Sequence, residues 1–264
     1  MIAVRDLALF VAGRMLLENM SFEIRKGEFV AVLGPNGVGK TTLLRTLAGL
    51  RPIESGSVAT DSRELAAFTP AERSRTIAFV TSDDVFADRL TVREVVAAGR
   101  YPHHRWWQWS EEPHDAQAIA AALHAVGLQT FAEREFETLS SGERQRVWVA
   151  LALAQEAPLL LLDEPTSHLD VRIAQEILQL LRAQVAAGKT VICVLHDLNE
   201  AAAYADRVLL LEPGRILAFQ ERERALSPEL LERAYGVPME SLRSASGALR
   251  VFPAETRSVS SHPA

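Results

Sequence analysis

The run Gly34-Pro35-Asn36-Gly37-Val38-Gly39-Lys40-Thr41-Thr42 constrains this chain more than any other feature. From Gly34 to Thr41 it fits G-x-x-x-x-G-K-[ST]. Residues 28–33 before it (EFVAVL) are mostly apolar with two valines and read as a buried strand. After it, Leu43, Leu44, Leu47 and Leu50 recur at helical spacing, and Gly49 with Pro52 offers an end to that helix. Strand, glycine-rich loop and helix are the context in which the pattern carries meaning. The glycines let the backbone turn its N–H groups inward, and the helix start adds roughly half a positive charge. Both favour phosphate oxygens. Lys40 would reach the β- and γ-phosphates of a nucleotide, the Thr41 hydroxyl would bind Mg²⁺, and Thr42 would add a phosphate contact. Only three lysines occur against 25 arginines, so a lysine in this loop asks for a role other than solubility.

Residues 159–164, Leu-Leu-Leu-Leu-Asp-Glu, form an apolar strand ending in two carboxylates. A strand parallel to the first would deliver Asp163 beside the phosphate loop. There it would hold Mg²⁺ through water, and Glu164 would polarise an attacking water. Further strands are predicted over 2–10, 16–24, 77–80, 190–195, 208–211 and 216–218. The pattern from about 90 to 154 is mostly helical, with Thr91 and Glu94 as a capping box and further helices over 116–126 and 140–156. Helices are also expected over 171–187, 199–205 and 228–235. The alternation implies an α/β fold with a mainly parallel sheet and helices on its faces. The helix-rich middle reads as a subdomain inserted at about 84–155 of a single domain spanning 1–253, with a polar tail over 254–264.

Composition limits the alternatives. With 48% hydrophobic and 23% charged residues among 264, the chain is an ordinary globular one, not a disordered one. It has no run of ~20 apolar residues, so no spanning helix is expected. The opening Met1-Ile2-Ala3-Val4-Arg5-Asp6 does not read as a signal peptide. The single cysteine, Cys193, excludes an internal disulfide and suits a reducing compartment. A net charge of −6 speaks against a nucleic-acid partner, and leaves room for docking on a membrane-embedded one.

Narrower motifs follow. Leu139-Ser140-Ser141-Gly142-Glu143-Arg144-Gln145-Arg146 stands before the Asp163-Glu164 strand, and Ser167-His168-Leu169-Asp170 and His196 come after it. By its residues alone, Ser140 with Glu143 is a capping box that starts a helix. In its setting and order the segment closely resembles the signature sequence of ABC-type ATPases, and the resemblance covers the chain to about Pro253. It implies the ABC-ATPase variant of the P-loop NTPase fold, with an N-terminal antiparallel part, and ATP with Mg²⁺ as ligands. It also implies a homodimer. In that dimer the Ser140 hydroxyl, the Gly142 N–H and the helix dipole face the γ-phosphate of the ATP held by the partner subunit. Glu164 would be the general base. His196 would contact the γ-phosphate and orient the catalytic water. Asp170 would contact the partner near its phosphate loop.

Two departures from the family pattern stand out. Ser82 stands at about the place of the family's usual glutamine, and Ser82 or Asp83 would take over the metal contact. The place of the adenine-stacking aromatic falls on Val11, with Phe10 beside it and assigned to the core. The altered glutamine position leaves open a nucleotide-gated clamp with weak hydrolysis. A soluble non-transport ABC ATPase is a third reading.

Leu90-Thr91-Val92-Arg93-Glu94-Val95-Val96, Gly99-Arg100-Tyr101-Pro102-His103, Val194-Leu195-His196-Asp197-Leu198-Asn199 and Leu230-Leu231-Glu232-Arg233-Ala234-Tyr235-Gly236-Val237-Pro238 resemble the subfamily that serves importers of ferric siderophores, haem and vitamin B12. That resemblance implies transmembrane permease partners, an external substrate-binding protein acting indirectly, and a peripheral place on the cytoplasmic face of the cell membrane. Trp106, Trp107 and Trp109 read as a packed loop of the helical subdomain, with a partner-facing patch as the alternative. A metal site of His103, His104 and His114 matches no recognised ligand spacing.

Overall fold

The computed structural model describes residues 2–81, 89–104, 112–245 and 247–254. Strands β1 (Ile2–Val11) and β2 (Arg14–Ile24) form a hairpin whose turn, Ala12-Gly13, takes positive φ at both residues, as a tight two-residue turn requires. β3 (Phe29–Leu33) leads through the glycine-rich loop into helix α1 (Lys40–Leu47). Next come β4 (Ser55–Thr60), the short β5 (Arg63–Glu64), α2 (Pro70–Thr76) and β6 (Ile77–Val80). Helices α3 (Val92–Ala97), α4 (Pro113–Ala125) and α5 (Ser141–Ala154) lie between β6 and β7 (Leu159–Asp163). The chain continues through α6 (Val171–Ala186), β8 (Thr190–Val194), α7 (Leu198–Tyr204), β9 (Arg207–Glu212) and β10 (Arg215–Glu221). It closes with α8 (Arg222–Ala225), α9 (Pro228–Tyr235) and the hairpin β11 (Met239–Arg243) and β12 (Leu249–Pro253).

The central sheet has the order β10-β9-β3-β8-β7-β6, all parallel except β10 on its edge. A second, antiparallel sheet runs β2-β1-β4-β5. The central strands are apolar on both faces because both faces are covered. Phe29, Ala31 and Leu33 of β3 enter one core with Leu160 and Leu162, beneath α3, α4, α5 and α6. Val30 and Val32 point the other way, to α1 and the antiparallel sheet. Period-two alternation therefore fills two cores from one strand.

Several elements depart from the expectation. β4 reads Ser-Gly-Ser-Val-Ala-Thr and is recruited as a strand by the edge of β1. The α1 helix ends at Leu47, which leaves Leu50 outside it and 59% exposed. The terminal hairpin docks on α7 through the Asn199 amide, which donates to Val251 O and accepts from Val251 N.

Candidate active site

The phosphate-loop pattern sits where the parallel sheet changes direction. β3 lies between β8 and β9, and the crevice at such a reversal, beyond the strands' carboxyl ends, is where open α/β sheets take ligands. A cavity of about 860 Å³ opens there, lined by Asn36, Gly37, Gly39, Lys40, Thr41 and Thr42 from the loop side. Glu164, Ser167, His168 and His196 line the opposite side, and Val11 and Leu16 form an aliphatic wall.

The loop's conformation follows from its glycines. Gly34 has φ +147, and a Cβ there would stand 2.6 Å from Leu211 O. Gly39 caps α1 with φ +110 and has no side chain to offer the first-turn N–H groups. By contrast α2, α3, α5 and α6 are each capped by a Thr, Ser or Asp side chain. The N–H groups at the start of α1 are thus directed to the cavity rather than spent on a cap. Val38 is 5% exposed and its side chain belongs to the core, which leaves its backbone for the role expected of the loop.

Lys40 is 5% exposed. Its Nζ donates to Gly34 O at 2.8 Å and to Pro35 O at 3.1 Å. Burial pulls its pKa below the ordinary lysine value, opposed by the charges of Glu164 and Asp163. Asp163 ends β7 beside Val194 of β8 and is 3% exposed. One strand, β8, separates it from β3, so it reaches the loop across that strand rather than from an adjacent one. The next residue, Glu164, takes φ +55, a left-handed conformation that costs a non-glycine residue ~1–2 kcal/mol. Its Oε1 lies 2.6 Å from His196 Nε2, and its Oε2 accepts from Ser167 Oγ at 3.3 Å.

The oxygen donors suit Mg²⁺, which takes one or two protein oxygens and fills its shell with phosphate and water. Thr41 lines the cavity, and the buried Asp163 carboxylate lies within electrostatic reach of Lys40. Asp163 and Thr41 therefore fit the expected metal role.

Ser140, Gly142 and Asp170 do not line this cavity. Ser140 caps α5, with Oγ donating to Glu143 Oε2 at 2.8 Å, and is exposed. Gly142 is buried, and a Cβ there would meet Ile173 Cδ1 at 2.7 Å. Asp170 caps α6, accepting from the N–H of that same Ile173 at 2.9 Å. The signature segment and the segment after Glu164 thus pack on one another. Ser82, Asp83, Trp106, Trp107 and Trp109 lie outside the described residues. The three histidines take separate partners: His103 the carbonyl of Gln155, His104 Asp115, and His114 Glu156. Among the described residues no three His, Cys, Asp or Glu side chains converge as a metal site. Val11 lines the cavity as expected of its position, whereas Phe10, assigned to the core, is only half-buried and belongs to neither core. Ser167, His168 and Leu16 enter the cavity without having been singled out as ligands. Only the first two carried a signal, their position just after the acidic strand.

The family model described as ABC transporter matches residues 17–167. The hemin import ATP-binding protein HmuV of Rhodococcus jostii is 40% identical over 248 residues, covering 94% of this chain and 84% of the relative. The ferric enterobactin transport ATP-binding protein FepC of Escherichia coli is 40% identical over 222 residues, covering 83% and 81%. Among solved structures, an ABC transporter chain in an inward-facing conformation superposes with a TM-score of 0.84 at 29% identity, over 96% of this chain and 97% of that one. An ATP-binding cassette solved as a dimer in a post-hydrolysis state with ADP and Pi gives 0.72 at 28% identity, over 84% and 99%.

Proposed function

This chain belongs to the ABC transporter family, and on that premise we propose that it is the ATP-hydrolysing subunit of an importer of iron complexes, ferric siderophore or haem. It works as a homodimer beneath transmembrane permease subunits, at the cytoplasmic face of the membrane, with an external binding protein supplying cargo. No helix among the described residues is long and apolar enough to cross a membrane, which fits a peripheral subunit. Both relatives are named for iron complexes, hemin and ferric enterobactin, which favours an iron complex over vitamin B12.

The observation that carries the hydrolytic reading is the Glu164–His196 contact of 2.6 Å on the wall of the cavity that the phosphate loop lines. The loop N–H groups and Lys40 bind the phosphates. Thr41 and Asp163 hold Mg²⁺, which neutralises phosphate charge when bound. Glu164 accepts a proton from the attacking water, and His196 orients that carboxylate and the γ-phosphate. Ser140 and Gly142 stand away from their own cavity, which suits completing the partner's site. Ser82 or Asp83 remains the proposed oxygen at the glutamine position.

The test is co-purification with the cognate permease, followed by phosphate release with binding protein loaded with ferric siderophore, with haem or with vitamin B12. Complex formation and stimulation by one iron complex are expected. Failure to bind any such permease, with robust basal hydrolysis, would overturn the importer reading and leave the ATPase standing.

A further inference from the structure

The C-terminal helix reaches the root of the phosphate loop. Tyr235, the last residue of α9, turns its hydroxyl onto Gly34, whose N–H donates to Oη at 3.1 Å. The carbonyl of the same Gly34 accepts from Lys40 Nζ at 2.8 Å. One residue is therefore held at both ends, by a phenol on its N–H and by the phosphate-reaching lysine on its C=O. That residue is a glycine at φ +147, pressed against Leu211 O. Glycine has the widest choice of conformations, so its hydrogen bonds decide which one it keeps.

Helix α9 is built to hold that phenol still. Ser227 caps it and Pro228 begins it. Arg233 forks onto Glu212 at the end of β9, with Nε 3.1 Å from Oε2 and Nη2 2.8 Å from Oε1. Leu231 is wholly buried beneath it. Burial pushes the Tyr235 hydroxyl up to about 12, so it stays a neutral acceptor at physiological pH.

We propose that Tyr235 is a positioning residue for nucleotide binding: by holding the Gly34 N–H it fixes the carbonyl on which Lys40 rests, and through Lys40 the grip on phosphate. This rests on the reading of the cavity as an ATP site. The glycine-rich pattern ends at Thr42, and nothing in it points to a tyrosine nearly two hundred positions later. The topology makes the connection by bringing α9 back beneath the end of β3.

The experiment titrates the full chain with a fluorescent Mg-ATP analogue. Tyr235→Phe keeps the ring and removes the oxygen, and Leu231→Ala serves as a packing control in the same helix. Tyr235→Phe is expected to raise Kd roughly five- to tenfold, about the worth of one buried hydrogen bond. Its melting temperature should fall by only roughly 2–4 °C, the loss of one buried hydrogen bond, and turnover at saturating ATP should stay near wild type. Leu231→Ala should lower the melting temperature while Kd holds. An unchanged Kd in Tyr235→Phe overturns the proposal. Equal weakening by the two variants in proportion to their thermal loss also overturns it, since packing would then explain both. Wild-type chain that binds no Mg-ATP would overturn the ATP reading itself.

Discussion

Two histidine–carboxylate contacts in this molecule have the same length and opposite characters. His196 Nε2 lies 2.6 Å from Glu164 Oε1, and His104 Nε2 lies 2.6 Å from Asp115 Oδ2. The Asp115 side chain is 4% exposed and its oxygens are already taken. Arg100 Nε donates to Oδ1 at 2.8 Å, and the Glu112 N–H donates to Oδ2 at 3.0 Å. Burial alone would raise this carboxyl; Arg100, the Glu112 N–H and His104 outweigh it and hold it at about 2. Arg100 in turn donates to Ala154 O and Glu156, so the network clasps the start of α4 to the end of α5. The Glu164 side chain is 28% exposed on a cavity wall, with a long Ser167 contact on its second oxygen. It also sits on a left-handed backbone, whereas Asp115 sits in the first turn of a helix. Distance does not separate the pair proposed to react from a structural one. Acceptor capacity left open to a substrate does.

Removing the carboxylate charge from each pair should therefore do different things. Glu164→Gln keeps shape and removes the proposed base. Steady-state ATP hydrolysis should fall by roughly 10²–10⁴-fold with little change in melting temperature. Mg-ATP should then hold a dimer, visible by size-exclusion chromatography; hydrolysis at the wild-type rate would remove Glu164 from its role. Asp115→Ala should do the reverse. It leaves the Arg100 guanidinium buried without its main partner, at a cost of about 3–5 kcal/mol in stability, read by denaturant unfolding. Turnover per folded molecule should be unchanged. The sign of the pH dependence follows from the depressed carboxyl. Its stabilising contribution is complete above the ordinary value of 3.8 and is lost as pH falls through about 2, so acid unfolding of the variant should lack that limb.

The same contrast explains what could be read before any coordinates. The phosphate loop, the Asp163-Glu164 strand end and the capping boxes at Thr91 and Ser140 are local patterns, and each formed where expected. The Thr69-Pro70-Ala71-Glu72 capping box of α2 is as local a pattern as these. β4 was not legible, because a Ser-Gly-Ser segment becomes a strand only when β1 offers an edge. The Tyr235–Gly34 contact, the Arg100 clasp and the Gly142–Ile173 packing join residues distant in sequence, and topology alone brings them together. Ser140 and Asp170 are a further kind. Within one chain they are helix caps, and the larger role proposed for them needs a second copy.

The smallest and sharpest break in the comparison replaces the histidines. His196→Ala removes the group proposed to orient Glu164, and hydrolysis should fall on the order of 10²-fold at an unchanged melting temperature. His104→Ala leaves Asp115 with Arg100 and the Glu112 N–H, so it removes one hydrogen bond of several. That loss is about 1 kcal/mol, or a melting temperature lower by roughly 2–4 °C, with hydrolysis intact. The two sites share no partner, so the double variant should show the turnover of one and the melting point of the other. Should His104→Ala slow hydrolysis without lowering the melting temperature, the buried clasp is coupled to the cavity. The division between a spent pair and an open one would then be wrong.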